Sequence, residues 1–264
     1  MALLKKKEPY VPKTGLLEDA VDYNLYTLHP LEFILSLVVG AAAGFAVGWV
    51  FYESLVLSIL LAAVCAFFAP RLWRKRQIKK RKDKLLLQFR EMLDSLFTSL
   101  GAGSNVYEAF QSAESDMSTR FGEGAMIVDE LKMVNNGIVH NYREEDMLLN
   151  FGERSGLEDV ISFAEVFETC NRKGGDIREV IRSTRGILSD KIEVAQDIKT
   201  AVTSQTTEQN AMLVMPVVMV FLLKQMGSDM VNLTSPVGRI ATTIALILFA
   251  VAYFLSRKIL DIKA

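Results

Sequence analysis

The sequence predicts an all-α, polytopic membrane protein with four transmembrane helices and a cytoplasmic antiparallel helical bundle. Two observations carry this prediction. Apolar hairpins at 31–69 and 211–256 enclose one long polar stretch, and residues 31–69 contain no lysine or arginine whereas 71–84 contain nine. Between 85 and 210 apolar residues recur at three-and-four spacing with no alternating run, so every element there is predicted to be a helix.

Each hairpin is long enough for two spans, since a hydrocarbon core of about 30 Å needs about 20 apolar residues in a helix. The first is predicted to hold Leu31–Val50 and Ser54–Ala69, joined by a tight turn. The second is predicted to hold Ala211–Met226 and Pro236–Leu255. Each hairpin returns the chain to the side from which it came, so both termini share one side with the polar stretch.

Basic residues indicate which side that is. Sixteen lysines and arginines lie close to the spans in the N-terminal segment 1–30, the polar stretch 70–210 and the tail 257–264. Because such residues remain cytoplasmic, we expect a multi-pass protein of the plasma (inner) membrane with both termini in the cytoplasm. Only Lys224 and Arg239 fall toward the outside, each near a helix end where a long side chain reaches the interface.

Charge is distributed unevenly although the net charge is only −1. Residues 71–84 carry nine basic side chains and one acidic one, which predicts contact with anionic membrane lipids. Residues 85–210 carry 12 basic and 22 acidic side chains. An acidic domain repels phosphates, so we expect no nucleic acid among the partners and favour a protein, with a basic protein as one candidate.

Helices with one apolar face are predicted over Leu85–Leu100, Val160–Cys170 and Ile177–Val202. The third has no breaker before span three, so we expect it to continue unbroken toward the membrane. Capping-box spacing predicts three helix starts, at Asn105 with Glu108, Ser155 with Glu158 and Asp176 with Glu179. Glycines before these starts end the preceding helices, which makes the helices antiparallel neighbours.

The sequence contains no constellation of catalytic residues. It has no G-x-x-x-x-G-K-[ST] loop for a nucleotide phosphate, and Gly174-Gly175-Asp176 is interpreted as a helix start rather than part of a cyclase signature. The two cysteines and two histidines stand at no metal-ligand spacing. The segments Glu144–Asp146 and Glu153–Ser155 are interpreted as solvated helix faces. We therefore expect no enzyme, no cofactor and no metal.

Three glycines recur every four residues in span one, at Gly40, Gly44 and Gly48, with alanines around them. Small residues at this spacing let two membrane helices pack closely. The neighbour could be span two of the same chain or a helix of another subunit, and the sequence favours neither. In span three, Met215-Pro216 interrupts the hydrogen-bond ladder and is expected to kink or weaken the helix.

Four motifs follow one another along the chain: Leu100-Gly101-Ala102-Gly103, FGERSG at Phe151–Gly156, RKGGDIREVI at Arg172–Ile181, and Met215-Pro216 after a long helix. Their order between two apolar hairpins resembles the type II secretion F-domain family. The likeness is greatest to its TadB-type inner-membrane platform proteins of tight-adherence (Flp-type) pili, and it covers residues 71–226. Each motif is a helix corner, so the likeness rests on order and spacing.

The resemblance implies a non-enzymatic platform that couples a cytoplasmic ATPase to pilin extraction and assembly. The partners it implies are a secretion ATPase, pilin subunits and a homologous TadC-like platform subunit, besides membrane lipids. Two helix corners supply the candidate partner-docking residues, which are Glu153, Arg154 and Gly156 in the first and Lys173, Gly174, Gly175 and Asp176 in the second. The alternative interpretation of both corners is helix capping within the domain.

A second function stays open at this point: a membrane signalling or transport accessory protein with a helical cytoplasmic relay domain. Few polar groups lie within the predicted spans, and no charge pair lies near their middle. Because transporters place such groups at the membrane centre, this pattern argues against a transporter itself.

Overall fold

The computed structural model describes residues 16, 20–52 and 54–226, together with short pieces between 240 and 255. All regular structure in these parts of the chain is helical, which confirms the all-α prediction. The helices are α1 (Pro30–Tyr52), α2 (Leu55–Gly101), α3 (Val106–Phe121), α4 (Met126–Val139), α5 (Glu144–Ser155), α6 (Glu158–Lys173) and α7 (Ile177–Met226).

The chain forms two compact units. The first, here called the polar unit, comprises Met1–Thr27 and Arg76–Asp190, and the second, the apolar unit, comprises Leu28–Lys75 and Lys191–Ala264. Helices α2 and α7 contribute residues to both units.

Phenylalanines from three helices form the centre of the polar unit. The ring of Phe163 in α6 lies 5.6 Å from that of Phe89 in α2 and 5.8 Å from that of Phe167. Phe167 in turn meets Phe110 of α3 at 6.4 Å. All four are almost fully buried, so the apolar faces predicted for α2 and α6 form one core. Leu85, Leu93 and Leu96 complete the α2 side.

Of the predicted helix starts, the one at Asn105 is confirmed and the one at Ser155 is wrong. Asn105 caps α3 as predicted: its side chain accepts a hydrogen bond from the Glu108 amide, and the Glu108 carboxylate accepts one from the Asn105 amide. The prediction for Ser155 is wrong, because Ser155 is the last residue of α5. Its hydroxyl donates to the carbonyl of Gly152 and accepts from the amide of Leu157, which is the residue at the start of α6.

The two long helices run through their prolines. Helix α2 has 47 residues and includes Pro70, while α7 has 50 residues and includes Pro216. The unbroken continuation predicted for the third amphipathic helix is therefore confirmed, and Met215-Pro216 does not end α7. Asp176 accepts a hydrogen bond from the Arg178 amide at the start of α7, whereas Glu179 pairs with Arg182 instead of closing a capping box.

Within the part of the chain that the structure describes, two helices are long and apolar enough to cross a membrane, α1 and the first part of α2. Only 17% and 6% of their most apolar windows are buried, so neither resembles the core helix of a soluble protein. Leu31, Val56 and Phe67 are each more than 60% exposed. The link between the two predicted spans is short, since α1 ends at Tyr52 and α2 begins at Leu55.

The second predicted hairpin is described in part. The segment predicted as its first span, 211–226, forms the end of α7, and the described positions between 240 and 255 are helical. The predicted loop from 227 to 235 lies outside the described residues. Within the apolar unit, the hydroxyl oxygens of Tyr52 and Thr243 lie 3.0 Å apart, which joins the end of α1 to this C-terminal helical segment.

Candidate functional site

The first candidate corner, FGERSG, is closed around a buried arginine. Helix α5 ends at Ser155, and Gly156 follows in the left-handed conformation with φ 59°. Glu153 and Gly156 are exposed, but Arg154 and Ser155 are buried. The interpretation of this segment as a solvated face is therefore wrong for Arg154 and Ser155.

The Arg154 guanidinium forms a two-pronged ion pair with Glu130 of α4. Its Nη1 lies 2.8 Å from Oε1 of Glu130 and its Nη2 lies 2.5 Å from Oε2. Both side chains are 2% exposed. Arg154 also donates to the Asn150 side chain and to the backbone carbonyl of Val21. These additional hydrogen bonds offset the cost of removing the two charges from water.

Tyr23 fastens the segment before α1 to this ion pair. Its hydroxyl donates to Oε1 of Glu130 at 2.8 Å, and its amide donates to the carbonyl of Arg154 at 3.1 Å. The Arg81 guanidinium lies 4.8 Å from the centre of the tyrosine ring, close enough for a cation–π contact. Burial, reinforced by the negative charge of Glu130, raises the pKa of Tyr23 above its usual range.

Lys82 and Asn24 complete the same arrangement. Lys82 Nζ donates to Oδ1 of Asn24 at 2.5 Å and to the carbonyl of Gly156 at 3.1 Å, while the Asn24 amide group donates to the carbonyl of Arg154. Burial lowers the pKa of Lys82, and the charge of Asp22 opposes that shift. We call Tyr23, Asn24, Lys82, Glu130 and Arg154 the clasp.

Part of the basic run 71–84 contacts the N-terminal segment, a role that the sequence did not indicate. Arg81 and Lys82 bind the N-terminal segment, whereas Lys79, Lys80 and Lys84 are more exposed. Of the clasp residues, sequence reasoning singled out Arg154 alone as a site residue. The others carry no local signal, because the Tyr23–Glu130 hydrogen bond joins residues 107 positions apart.

A second buried carboxylate, that of Glu145, lies at the start of α5. Glu145 is 4% exposed and pairs with Arg143, so the solvated interpretation of Glu144–Asp146 is wrong at its central residue. Burial raises the pKa of Glu145 more than any single contact lowers it. The hydrogen bonds from Arg143, the Glu145 amide and Asn171, together with the positive charge of Arg143, outweigh burial and lower that pKa.

The second candidate corner, Lys173–Asp176, is open. All four residues are exposed, and Gly174 ends α6 in the left-handed conformation with φ 73°. Gly174–Asp176 line a shallow cavity of about 550 Å³, and Gly103 and Ser104 line the same cavity. Two glycine corners that are distant in sequence, after α2 and after α6, thus border one surface.

The glycine face of span one lies against α2. A Cβ placed on Gly44 would lie 2.7 Å from the carbonyl oxygen of Leu61. The equivalent atom on Gly48 would lie 2.6 Å from the Cα of Ser58, and that on Gly40 would lie 2.6 Å from the Cβ of Ala69. The structure therefore favours the first alternative for these glycines, which is packing within the chain's own hairpin.

The described residues contain no group of three or more histidine, cysteine, aspartate or glutamate side chains placed to hold a metal ion. Cys65 and Cys170 are both free thiols. Comparisons with family models, curated proteins and solved structures find no match to this chain.

Proposed function

We propose that the chain is a non-enzymatic inner-membrane platform subunit of a type II secretion or tight-adherence pilus machine. In this role it couples a cytoplasmic ATPase to pilin extraction and assembly. The observation that carries the proposal is the insertion of a helical unit with its own core between exposed apolar helices of the same chain. Such helices need lipid around them, and a separately packed unit offers a surface for soluble partners.

The proposed membrane part has four spans in two hairpins, and the acidic helical bundle of the polar unit is cytoplasmic. Close packing of the glycine face against α2 supports the first hairpin. The contact between Tyr52 and Thr243 supports a second hairpin adjacent to the first. The basic residues that flank the spans support the orientation.

Reporter fusions test this arrangement directly. Fusions at Gly124 and Ala264 should report the cytoplasm, because both follow segments on the basic side of the spans. Fusions at Glu53 and Asn232, in the two proposed external turns, should report the opposite side. A cytoplasmic report at Asn232 would contradict the four-span arrangement, and an external report at Gly124 would contradict the orientation.

The open corner is the proposed contact for the ATPase. Lys173, Gly174, Gly175 and Asp176 are exposed, and they border a second exposed turn across a shallow cavity. The FGERSG corner has a different proposed role, because its arginine is enclosed in the clasp. It holds the segment around Tyr23 against α4 and α5, and of its three candidate residues Glu153 and Gly156 are exposed.

A further inference from the structure

Helices α6 and α7 of the polar unit enclose an elongated groove whose floor is apolar. The groove has a volume of about 630 Å³, and Phe163 and Leu188 form buried parts of its wall. Val166 and Ile187 also line it, yet they are 51% and 63% exposed. Two branched apolar side chains in one groove at this exposure indicate a surface that a partner covers.

The shape of the groove suits a helix. It follows α6 from Asp159 to Cys170 and α7 from Asp176 to Leu188. Eleven residues of helix rise about 17 Å, which matches about three turns of an incoming helix. A small-molecule site encloses most of its ligand, whereas this groove leaves Val166 and Ile187 more than half exposed.

The rim of the groove is acidic. Asp159, Asp176 and Glu179 line it, and none of its lining residues is basic. Arg178 pairs with Asp176 at 3.5 Å, and Arg182 pairs with Glu179 at 3.9 Å. Both are long pairs between exposed side chains, which contribute little, so cations of a partner can replace them at small cost.

The same charges argue against a second copy of this chain as the occupant. A two-fold symmetric contact places the same patch of both copies face to face. It would bring Asp159, Asp176 and Glu179 of one copy against the same carboxylates of the other. Each copy also brings Arg178 and Arg182, which already pair with two of its own carboxylates, so this contact gains no charge complementarity. A helix that carries only cations gains attraction from the same rim.

We propose that the α6–α7 groove binds a basic amphipathic helix of a partner protein. The apolar stripe of that helix packs on Val166 and Ile187, and its lysines or arginines meet the acidic rim. Recognition of this kind uses apolar anchors at i, i+3, i+4 and i+7. The inference depends on the polar unit alone, so it stands or falls independently of the secretion role.

A synthetic peptide tests the proposal with the full chain in lipid nanodiscs. The probe is a fluorescent Lys/Leu peptide of about 18 residues with leucines at helical spacing. A Glu/Leu peptide with the same stripe and a scrambled Lys/Leu peptide are the comparisons, and empty nanodiscs give the binding to lipid. We expect only the first peptide to bind above the lipid background. Equal binding of the Glu/Leu or the scrambled peptide, or no binding of the Lys/Leu peptide, would overturn the proposal.

Matched variants locate the binding. Ile187→Ser and Glu179→Lys should each raise the Kd by about tenfold, because the first removes an apolar contact and the second reverses a charge on the rim. Val139→Ser and Glu165→Lys make the same changes at exposed positions outside the groove and should leave the Kd within about twofold. Equal effects of the groove variants and their controls would contradict the proposal.

A second readout needs no change in the groove. Cys170 lines it, and the other cysteine, Cys65, can be replaced by alanine. Saturating Lys/Leu peptide should slow maleimide labelling of Cys170 by about tenfold, since a bound helix covers the thiol. An unchanged labelling rate at a saturating peptide concentration would place the peptide elsewhere and overturn the proposal.

Discussion

A single arginine, Arg154, links three separate parts of the polar unit. It pairs with Glu130 of α4, bonds Asn150 within α5 and receives the segment around Tyr23 through its backbone carbonyl. A buried ion pair of this kind adds little stability over an apolar pair of the same shape. Removal of one partner is costly all the same, because it leaves the other charge buried without compensation.

Replacement of Arg154 should therefore destabilise the protein strongly. We expect Arg154→Leu to lower the free energy of unfolding by about 3–5 kcal/mol, since Glu130 would lose its counter-charge. Thermal unfolding of the full chain in nanodiscs measures the effect as a fall in Tm. Lys173→Leu is the matched control at an exposed cation and should change stability by less than about 0.5 kcal/mol. Equal Tm values for the two variants would contradict the clasp.

Tyr23 should make the protein sensitive to alkali. Its pKa is raised in the folded state, so the unfolded chain loses this proton first, at about pH 10. Above that pH the folded state binds more protons than the unfolded state, and stability falls as pH rises. Tyr23→Phe removes this titration. The Tm of the wild type should therefore fall more steeply than that of the variant between about pH 10 and pH 12, and parallel curves would show that Tyr23 is not buried against Glu130.

At this scale the sequence predicted little of the site. The motif FGERSG drew attention to Arg154, but its burial depends on Glu130, 24 positions away, and on Val21, 133 positions away. No periodicity or spacing joins such residues, so only the tertiary structure could place them together. The exposed state of Lys173–Asp176 followed more easily, because a glycine pair between two helices offers no side chain to bury.

At the scale of the helix, local signals predicted well where the interaction is local. The Asn105–Glu108 capping box joins residues three apart and forms as expected. Ser155 and Glu158 have the same spacing, yet Ser155 lies at the end of α5, where its hydroxyl returns to Gly152. Spacing alone does not distinguish a residue before a helix from one that ends the preceding helix.

The glycine face of α1 gives a prediction for the first hairpin. Gly44→Leu should lower the stability and the membrane abundance of the protein, because its side chain would meet the backbone of Leu61 and Ala62. Ala43→Leu is the matched control, since Ala43 is exposed on the neighbouring face. Thermal unfolding and quantitative blotting of membranes measure both variants. If Gly44→Leu instead keeps normal stability and loses crosslinking to a second platform subunit, the face joins subunits.

At the scale of the whole molecule, composition and the spacing of apolar residues predicted the main features of the fold. The separation of apolar segments from the acidic stretch anticipated the two units, and three-and-four spacing anticipated an all-helical chain. The boundary did not follow the sequence blocks. The segment up to Thr27 belongs to the polar unit because Tyr23 and Asn24 are bound there, although it is adjacent in sequence to α1.

The proposed platform role carries an expectation about energy supply. The sequence has no phosphate-binding loop of the G-x-x-x-x-G-K-[ST] type, and in the proposal the work on pilins comes from a partner that hydrolyses ATP. The clasp and the core give the polar unit a fixed surface on which such a partner can act. Lys173 and its neighbours are the exposed part of that surface proposed for the contact.

ATP turnover is the most direct measurement of this central claim. Purified chain in nanodiscs is mixed with the secretion ATPase of the same organism, and phosphate release is followed with each protein alone and with both together. The account predicts no hydrolysis by the chain alone, altered turnover in the mixture, and loss of that effect in Lys173→Glu but not in the surface control Lys132→Glu. Hydrolysis by the chain alone, or turnover that the chain leaves unchanged, would contradict it.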